Sequence, residues 1–101
     1  MRFSLTLPML PSRVEIGESV ILQRLNDEAV LLNMSNQQYY GLNDTGTRMW
    51  ELLMELGEPS KVVTQLQEEY SVPSATLQAD LETLVGELLQ AGLLRATSPT
   101  V

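Results

Sequence analysis

The chain has 101 residues, 44% of them hydrophobic, and thirteen acidic against six basic side chains give it a formal net charge of −7. This length suits a single hydrophobic core, and no apolar run approaches the roughly 20 residues needed to cross a bilayer. Cysteine and histidine are absent, which excludes disulfides, thiol nucleophiles, imidazole bases and the commonest zinc ligands, while an acidic field repels phosphate groups.

The N-terminal segment has no clear hydrophobic period. Pro8 and Pro11 interrupt it, and no small-residue cleavage site follows, which disfavours a signal peptide. We expect an N-terminal arm over 1–12, a folded domain over 13–95 and a flexible tail over 96–101, where small polar residues dominate. The expected location is the cytoplasm. Neither a membrane nor a nucleic acid is expected as a partner, and no cofactor or metal is expected.

Three short segments separated by turn residues predict an antiparallel meander. Residues 19–25 and 29–34 are rich in aliphatic side chains, and Asn26–Asp27 between them predict a turn. A second turn at 35–37 leads into a third strand over 38–42. The order of the strands places this third strand at an edge of the sheet, where backbone hydrogen-bonding groups have no partner.

The segment after the third strand predicts a first helix, from about Asp44 to Leu56. Asn43 and Asp44 can accept hydrogen bonds from the first free amides of a helix, and Gly57 suits a left-handed C-terminal cap. Apolar side chains recur at a spacing of three to four residues, namely Met49, Trp50, Leu53 and Leu56. We interpret Trp50 as a core residue, since buried aromatic side chains are more often structural than ligand contacts.

Two further helices follow. Ser60 is expected to cap the second helix, and Ser74 to cap a longer third helix that ends at Gly92. We interpret the leucine stripe of the third helix as core packing, and it comprises Leu77, Leu81, Leu84 and Leu88. Gly86 lies in the middle of this helix, where glycine weakens helical structure. The two leucines that follow Gly92 are expected to fold back onto the core.

Two stretches of the sequence together resemble a known family. Residues 39–50 read YYGLNDTGTRMW, and residues 80–94 read DLETLVGELLQAGLL. In this order and spacing they resemble the PqqD-like family, the leader-peptide recognition elements (RiPP recognition elements) of pathways that make ribosomally synthesised, modified peptides. The chain is similar above all to the stand-alone recognition proteins of lasso-peptide biosynthesis. The resemblance covers roughly residues 14–94, and the family pattern is met at Tyr40, Leu42, Asn43, Trp50, Asp80, Leu84, Gly92 and Leu93.

The resemblance implies a fold and a function. The fold is α+β and winged helix-turn-helix-like, with a three-stranded antiparallel sheet followed by three helices. The function is that of a non-catalytic adaptor. It binds the leader region of a precursor peptide as an added β-strand and presents it to a leader protease or modifying enzyme of the same pathway, in lasso-peptide or related modified-peptide biosynthesis.

Two other classes of function are compatible with parts of the sequence. A winged-helix DNA-binding regulator is compatible with the topology, but six basic residues in the chain are too few and too dispersed to promise a basic face. An enzyme working with paired carboxylates is the third class. Its candidates, Glu68 and Glu69, are adjacent on a helix and therefore diverge.

The predicted leader-binding site lies between the third strand and one flank of the third helix. It comprises Gln38, Tyr39, Tyr40, Gly41 and Leu42 on the strand, and Asp80, Thr83, Leu84 and Glu87 on the helix. One of the two adjacent tyrosines should face inward, because neighbouring strand residues point to opposite faces. Gly41 either lets a guest backbone approach closely or forms a bulge. The alternative for the helix flank is a solvated border of the core.

Overall fold

Two antiparallel sheets and three helices make up residues 10–97, the part of the chain that the computed structural model describes. The elements in chain order are β1 Val14–Ile16, β2 Val20–Leu25, β3 Glu28–Asn33, β4 Gln38–Leu42, α1 Asp44–Leu56, α2 Pro59–Glu69, α3 Ser74–Gln90 and β5 Leu94–Ala96. Strands β2, β3 and β4 form a three-stranded sheet in that order, and β1 pairs with β5. The predicted α+β architecture, with a three-stranded sheet followed by three helices, is confirmed.

Both turns of the three-stranded sheet lie where the sequence predicts them. Asn26 has a φ of 62° in the turn between β2 and β3, a conformation that asparagine tolerates better than most residues. In the turn between β3 and β4, the side-chain oxygen of Asn33 accepts the Ser35 N–H at 2.9 Å, and that of Asn36 accepts the Gln38 N–H at 3.0 Å. Short polar side chains thus satisfy backbone groups that this turn leaves unpaired.

Helix α1 has both of the ends that its sequence predicts. The side-chain oxygen of Asn43 accepts the Gly46 N–H at 2.7 Å, which satisfies one of the free amides of the first turn. Gly57 adopts a φ of 74° and donates its N–H to the carbonyl of Leu53 at 2.8 Å. Trp50 is buried, which confirms its interpretation as a core residue.

A proline lies at the start of both α2 and α3, and neither helix has the predicted serine cap. Pro59 is the first residue of α2, so Ser60 lies inside the helix, and Glu58 at the N-cap position makes no side-chain cap. Pro73 occupies the N-cap position of α3, so Ser74 is its first helical residue. The predicted caps at Ser60 and Ser74 are therefore wrong. Proline competes for the start of a helix because its φ is already helical and it has no N–H to satisfy.

Helix α3 runs through Gly86 without interruption. Its leucine stripe is buried in the hydrophobic core, as predicted. Packing thus outweighs the weak helix propensity of one glycine. The buried apolar residues of the common core are Val14, Ala29, Leu31, Leu42, Met49, Trp50, Leu52, Leu53, Val62, Val63, Leu66, Leu77, Leu81, Leu84, Val85, Leu88, Leu93 and Leu94. None of the helices within residues 10–97 is both long and apolar enough to span a membrane.

The chain closes with a small sheet that the sequence analysis missed. Leu93 and Leu94 are buried, which confirms that they fold back onto the core, and β5 then pairs antiparallel with β1. Each of these strands has three residues, too few to reveal an alternating pattern. β5 includes Ala96, where the predicted tail begins. Residues 98–101 of that tail, and residues 1–9 of the predicted arm, lie outside the described residues.

Candidate functional site

Strand β4 forms one edge of the three-stranded sheet, and its outer side pairs with no strand in the part of the chain that the structure describes. The Met34 N–H donates to the carbonyl of Ser19, next to β2, at 2.8 Å. Because backbone groups alternate in direction along a strand, even-numbered residues of β3 pair with β2 and odd-numbered residues with β4. Tyr40, which lies opposite an odd-numbered residue of β3, therefore pairs inward, and Tyr39 and Gly41 direct their N–H and C=O groups outward.

The side chains of β4 divide between the two faces of the sheet. Tyr39 is 76% exposed on the face away from the helices, whereas Tyr40 is half-buried and packs against the core. The prediction that one tyrosine faces inward is thereby confirmed. The one-to-one pairing of β3 with β4 continues past Gly41, so Gly41 forms no bulge. A Cβ atom added to Gly41 would meet nothing within 4 Å.

A groove of about 370 Å³ lies beside this edge, between the end of β4, the first turns of α1 and the facing side of α3. We call it the β4–α3 groove, and it is lined by Tyr40, Gly41, Leu42, Asn43, Thr45, Gly46, Met49, Asp80 and Leu84. Leu42, Met49 and Leu84 supply apolar side chains to its floor, and each is at most 9% exposed. Asp80 is exposed at its border, so a guest here would meet an apolar floor and a carboxylate.

The structure brings part of the predicted site together. The predicted residues that line the groove are Tyr40, Gly41, Leu42, Asp80 and Leu84. The other predicted residues are exposed and lie outside the lining, namely Gln38, Tyr39, Thr83 and Glu87. The hydroxyl of Thr83 donates to the carbonyl of Ala79, one turn earlier in its own helix, at 3.1 Å.

Sequence reasoning missed the contribution of α1 to the groove. The sequence marks Asn43 as a helix cap and as part of the family pattern, and Met49 as part of an apolar stripe. It does not single out Thr45 or Gly46. The available signal was the absence of a loop between β4 and α1, because Asn43 alone separates them. A helix that starts directly at the end of an edge strand must place its first turns beside that edge.

A hydrogen bond crosses from β4 to α3. The hydroxyl of Tyr40 donates to a carboxylate oxygen of Glu87. This hydrogen bond, with a contribution from burial, raises the pKa of Tyr40 to about 12. Tyr40 is therefore protonated at neutral pH and able to donate.

A second connection joins the sheet to the other end of α3. The side-chain nitrogen of Asn33, a buried residue at the end of β3, donates to the carbonyl oxygens of Ala91 and Gly92, each at 3.3 Å. These contacts satisfy a buried amide that would otherwise be costly. They also connect the end of β3 to the C-terminal end of α3.

Every basic side chain between residues 10 and 97 is ion-paired with a glutamate. The pairs are Arg13–Glu58, Arg24–Glu51, Arg48–Glu51, Arg48–Glu69, Lys61–Glu58 and Arg95–Glu15. The described surface therefore has no concentrated positive face of the kind that nucleic-acid binding requires.

The Arg24–Glu51 and Arg48–Glu51 pairs border a second groove, of about 290 Å³, which we call the polar groove. It is lined by Arg24, Asp27, Asp44, Thr47, Arg48, Glu51 and Tyr70. The guanidinium of Arg48 contacts Glu69 with two hydrogen bonds of 2.8 and 2.7 Å, and this pairing lowers the pKa of Glu69 to about 2. Hydrogen bonds from Arg24 and Arg48 also lower the pKa of Glu51. The charged groups of Arg24, Arg48, Glu51 and Glu69 therefore pair with one another.

Comparison with known proteins assigns the chain to a family. TbiB1 in complex with the TbiA(beta) leader peptide matches it with a TM-score of 0.77 and 33% sequence identity, over 84% of this chain and 99% of the TbiB1 chain. A lasso peptide synthetase B1 complexed with the leader peptide shares the fold, with a TM-score of 0.74 and 24% identity over 82% of this chain and 98% of that one. No curated protein matches the sequence. The family described as coenzyme PQQ synthesis protein D (PqqD) matches residues 28–94, and the chain therefore belongs to the PqqD family.

Proposed function

We propose that this protein is a non-catalytic adaptor that binds the leader region of a ribosomally synthesised precursor peptide and presents it to a leader protease or modifying enzyme. The observation that carries the proposal is the edge of β4, which pairs with no strand among residues 10–97 and lies beside a groove with apolar side chains in its floor. Membership of the PqqD family and the likeness to TbiB1, a protein solved with a leader peptide, support the same function. The pathway is that of a lasso peptide or a related modified peptide.

The guest binds as a further antiparallel strand of the sheet. Its backbone pairs with the outward N–H and C=O groups of Tyr39 and Gly41, which supplies affinity for any extended peptide. Every second guest side chain then points toward the helices. Those side chains contact the floor formed by Leu42, Met49 and Leu84, and this contact selects the sequence of the leader.

Polar side chains at the border complete the proposed site. The carboxylate of Asp80 meets a basic or amide group of the guest, while Gln38 at the start of β4 and Thr83 on the exposed side of α3 lie outside the groove lining. Strand hydrogen bonds together with two or three buried anchors correspond to micromolar to nanomolar binding, or roughly −8 to −12 kcal/mol. Glu87, the remaining residue of the predicted set, accepts a hydrogen bond from Tyr40.

The adaptor itself performs no chemistry in this proposal. The chain contains neither cysteine nor histidine, and strand addition requires no catalytic side chain. Cleavage or modification belongs to a separate enzyme of the same pathway. The adaptor acts in the cytoplasm, because ribosomal synthesis of the precursor takes place there.

Titration with a fluorescently labelled leader peptide tests the proposal. The probe is the leader of the precursor encoded beside this protein, and the controls are a scrambled peptide of the same composition and a labelled DNA duplex. We expect saturable binding of the leader in the micromolar to nanomolar range, with no binding of either control. Equal binding of the leader and the scrambled peptide would contradict sequence-selective recognition. Binding of the duplex alone would favour a DNA-binding regulator instead.

A further inference from the structure

Glu87 differs from the other predicted helix residues in what it contacts. It lies outside the lining of the β4–α3 groove, and its carboxylate accepts the hydroxyl hydrogen of Tyr40, which lines that groove. We infer that Glu87 is a positioning residue, which holds the Tyr40 ring in the orientation that a bound leader contacts and thereby sets leader affinity without touching the leader. This inference rests on the proposed function.

Tyr40 lies where the hydrogen bond can affect the shape of the groove. Its ring packs against the hydrophobic core on one side and lines the groove on the other. Among residues 10–97, the Tyr40–Glu87 contact is the one side-chain hydrogen bond that joins β4 to α3. The ring therefore bridges the two walls of the groove, and its orientation determines the shape that a guest side chain meets.

The chemistry of the contact favours a fixed ring. A hydroxyl that donates to a carboxylate forms a stronger bond than a neutral pair does, and the raised pKa of Tyr40, about 12, agrees with a bond to the protonated phenol. A ring held before binding loses less rotational freedom when the leader arrives. Because Glu87 is exposed, water competes for its carboxylate, and we expect a moderate effect.

Glu82 provides a matched control on the same helix. Its carboxylate accepts a hydrogen bond from the side-chain nitrogen of Gln78 at 3.2 Å, so its contact stays within α3. Removing Glu82 changes the net charge of the protein by the same amount as removing Glu87. A general electrostatic effect on the leader would appear in both variants, whereas loss of the Tyr40 contact appears in one.

The experiment compares Tyr40→Phe, Glu87→Ala, Glu87→Gln, the Tyr40→Phe/Glu87→Ala double variant and Glu82→Ala. The same labelled leader is titrated into each, and ultraviolet absorbance follows ionisation of the tyrosines as the pH rises. We expect Tyr40→Phe and Glu87→Ala each to weaken leader binding about three- to tenfold. The double variant should bind the leader as tightly as the single variant with the lower affinity, because the two single substitutions remove the same hydrogen bond. Glu87→Gln, which keeps an acceptor oxygen, should recover part of the affinity, and Glu82→Ala should bind as the natural protein does.

The titration of the free protein provides a readout that needs no leader. Glu87→Ala should shift the late tyrosine ionisation from about 12 toward the ordinary value of 10.0, and Glu82→Ala should leave it in place. Unchanged leader affinity in Tyr40→Phe and Glu87→Ala would overturn the inference and leave the proposed function standing. Strictly additive losses would also overturn it, since they would mean that each side chain contacts the leader independently. If the natural protein itself fails to bind the leader, the proposed function and the inference both fail.

Discussion

Helix α1 borders two grooves, which differ in how many of their lining groups pair with other groups among residues 10–97. The β4–α3 groove, of about 370 Å³, has apolar side chains in its floor and adjoins a strand edge that is unpaired in the described part of the chain. The polar groove, of about 290 Å³, is bordered by arginines and glutamates that pair with one another. The first groove offers a guest three apolar side chains and backbone groups, whereas the arginines and glutamates of the second already pair with one another. A groove of similar volume is therefore a good candidate site only where its groups lack partners within the protein.

The paired charges give the polar groove a structural role. Arg24 of β2 contacts Glu51 of α1, and Arg48 of α1 contacts Glu69 at the end of α2. Together these contacts join the sheet, α1 and α2. A network of this kind contributes more than an isolated surface pair, although each contact in it remains partly exposed and modest.

The largest expected effect comes from placing a charge in the floor of the β4–α3 groove. Leu84→Asp should weaken leader binding about 30-fold or more, equivalent to about 2 kcal/mol, because the carboxylate must lose water when the guest covers it. The measurement is the leader titration, with circular dichroism to verify that the variant is folded. Leu89→Asp is the control, since Leu89 is half-buried on the same helix and lies outside the groove lining. Equal affinity in a folded Leu84→Asp protein would remove this helix flank from the site.

A smaller effect is expected at the strand edge. Gly41→Pro removes an outward-facing N–H without removing a hydrogen bond to β3, and we expect a loss of leader affinity of about tenfold, the value of one backbone hydrogen bond. Gly41→Ala is the control, because its Cβ would meet nothing within 4 Å and it keeps the N–H. Comparing the two variants by leader titration separates the backbone contact from side-chain effects. Equal binding by both would contradict strand addition at this edge.

A substitution in the polar groove should change the stability of the protein rather than its affinity for the leader. Arg48→Gln removes the charge that contacts Glu51 and Glu69, and we expect the free energy of unfolding in urea to fall by about 0.5–1 kcal/mol. Leader affinity should be unchanged. A loss of leader affinity without a loss of stability would reverse the roles that we assign to the two grooves.

The smallest and most gradual effect is expected on the melting temperature at low pH. The pairing with Arg48 lowers the pKa of Glu69 from 4.5 to about 2, so the folded state favours the ionised carboxylate. This contribution to stability is fully present above the ordinary pKa and is lost as the pH falls from 4.5 toward 2. The melting temperature should therefore decline over that interval, and it should decline less in Arg48→Gln. An identical decline in both proteins would show that Glu69 is not the group responsible.

The sequence was most informative where local chemistry decides the structure. Asn43 and Gly57 fix the two ends of α1, and polar turn residues fix the order of the three strands. The predicted helix caps at Ser60 and Ser74 were wrong, because the neighbouring prolines decide where those helices begin. The sequence did not predict β1 and β5, whose pairing joins residues far apart in the chain. No local pattern in three-residue strands records such a contact.

The candidate site shows the same division. An edge strand and an apolar helix flank were predictable from strand order and from the helical period, and Tyr40, Leu42 and Leu84 do line the groove. The contribution of Met49 was not predictable, because periodicity marks a residue as apolar without indicating which neighbour it faces. The contact of Glu87 with Tyr40 was equally hidden, since its partner lies on another element.

The shortness of β4 limits how much of a precursor the protein can hold. Five residues form this strand, which corresponds to a length of about 17 Å. A peptide paired along that length keeps the rest of its chain free to move, and the bound protein then acts as a tether. An enzyme that also associates with the adaptor would meet the free segment at a high effective concentration, set by the length of chain between the two points of attachment.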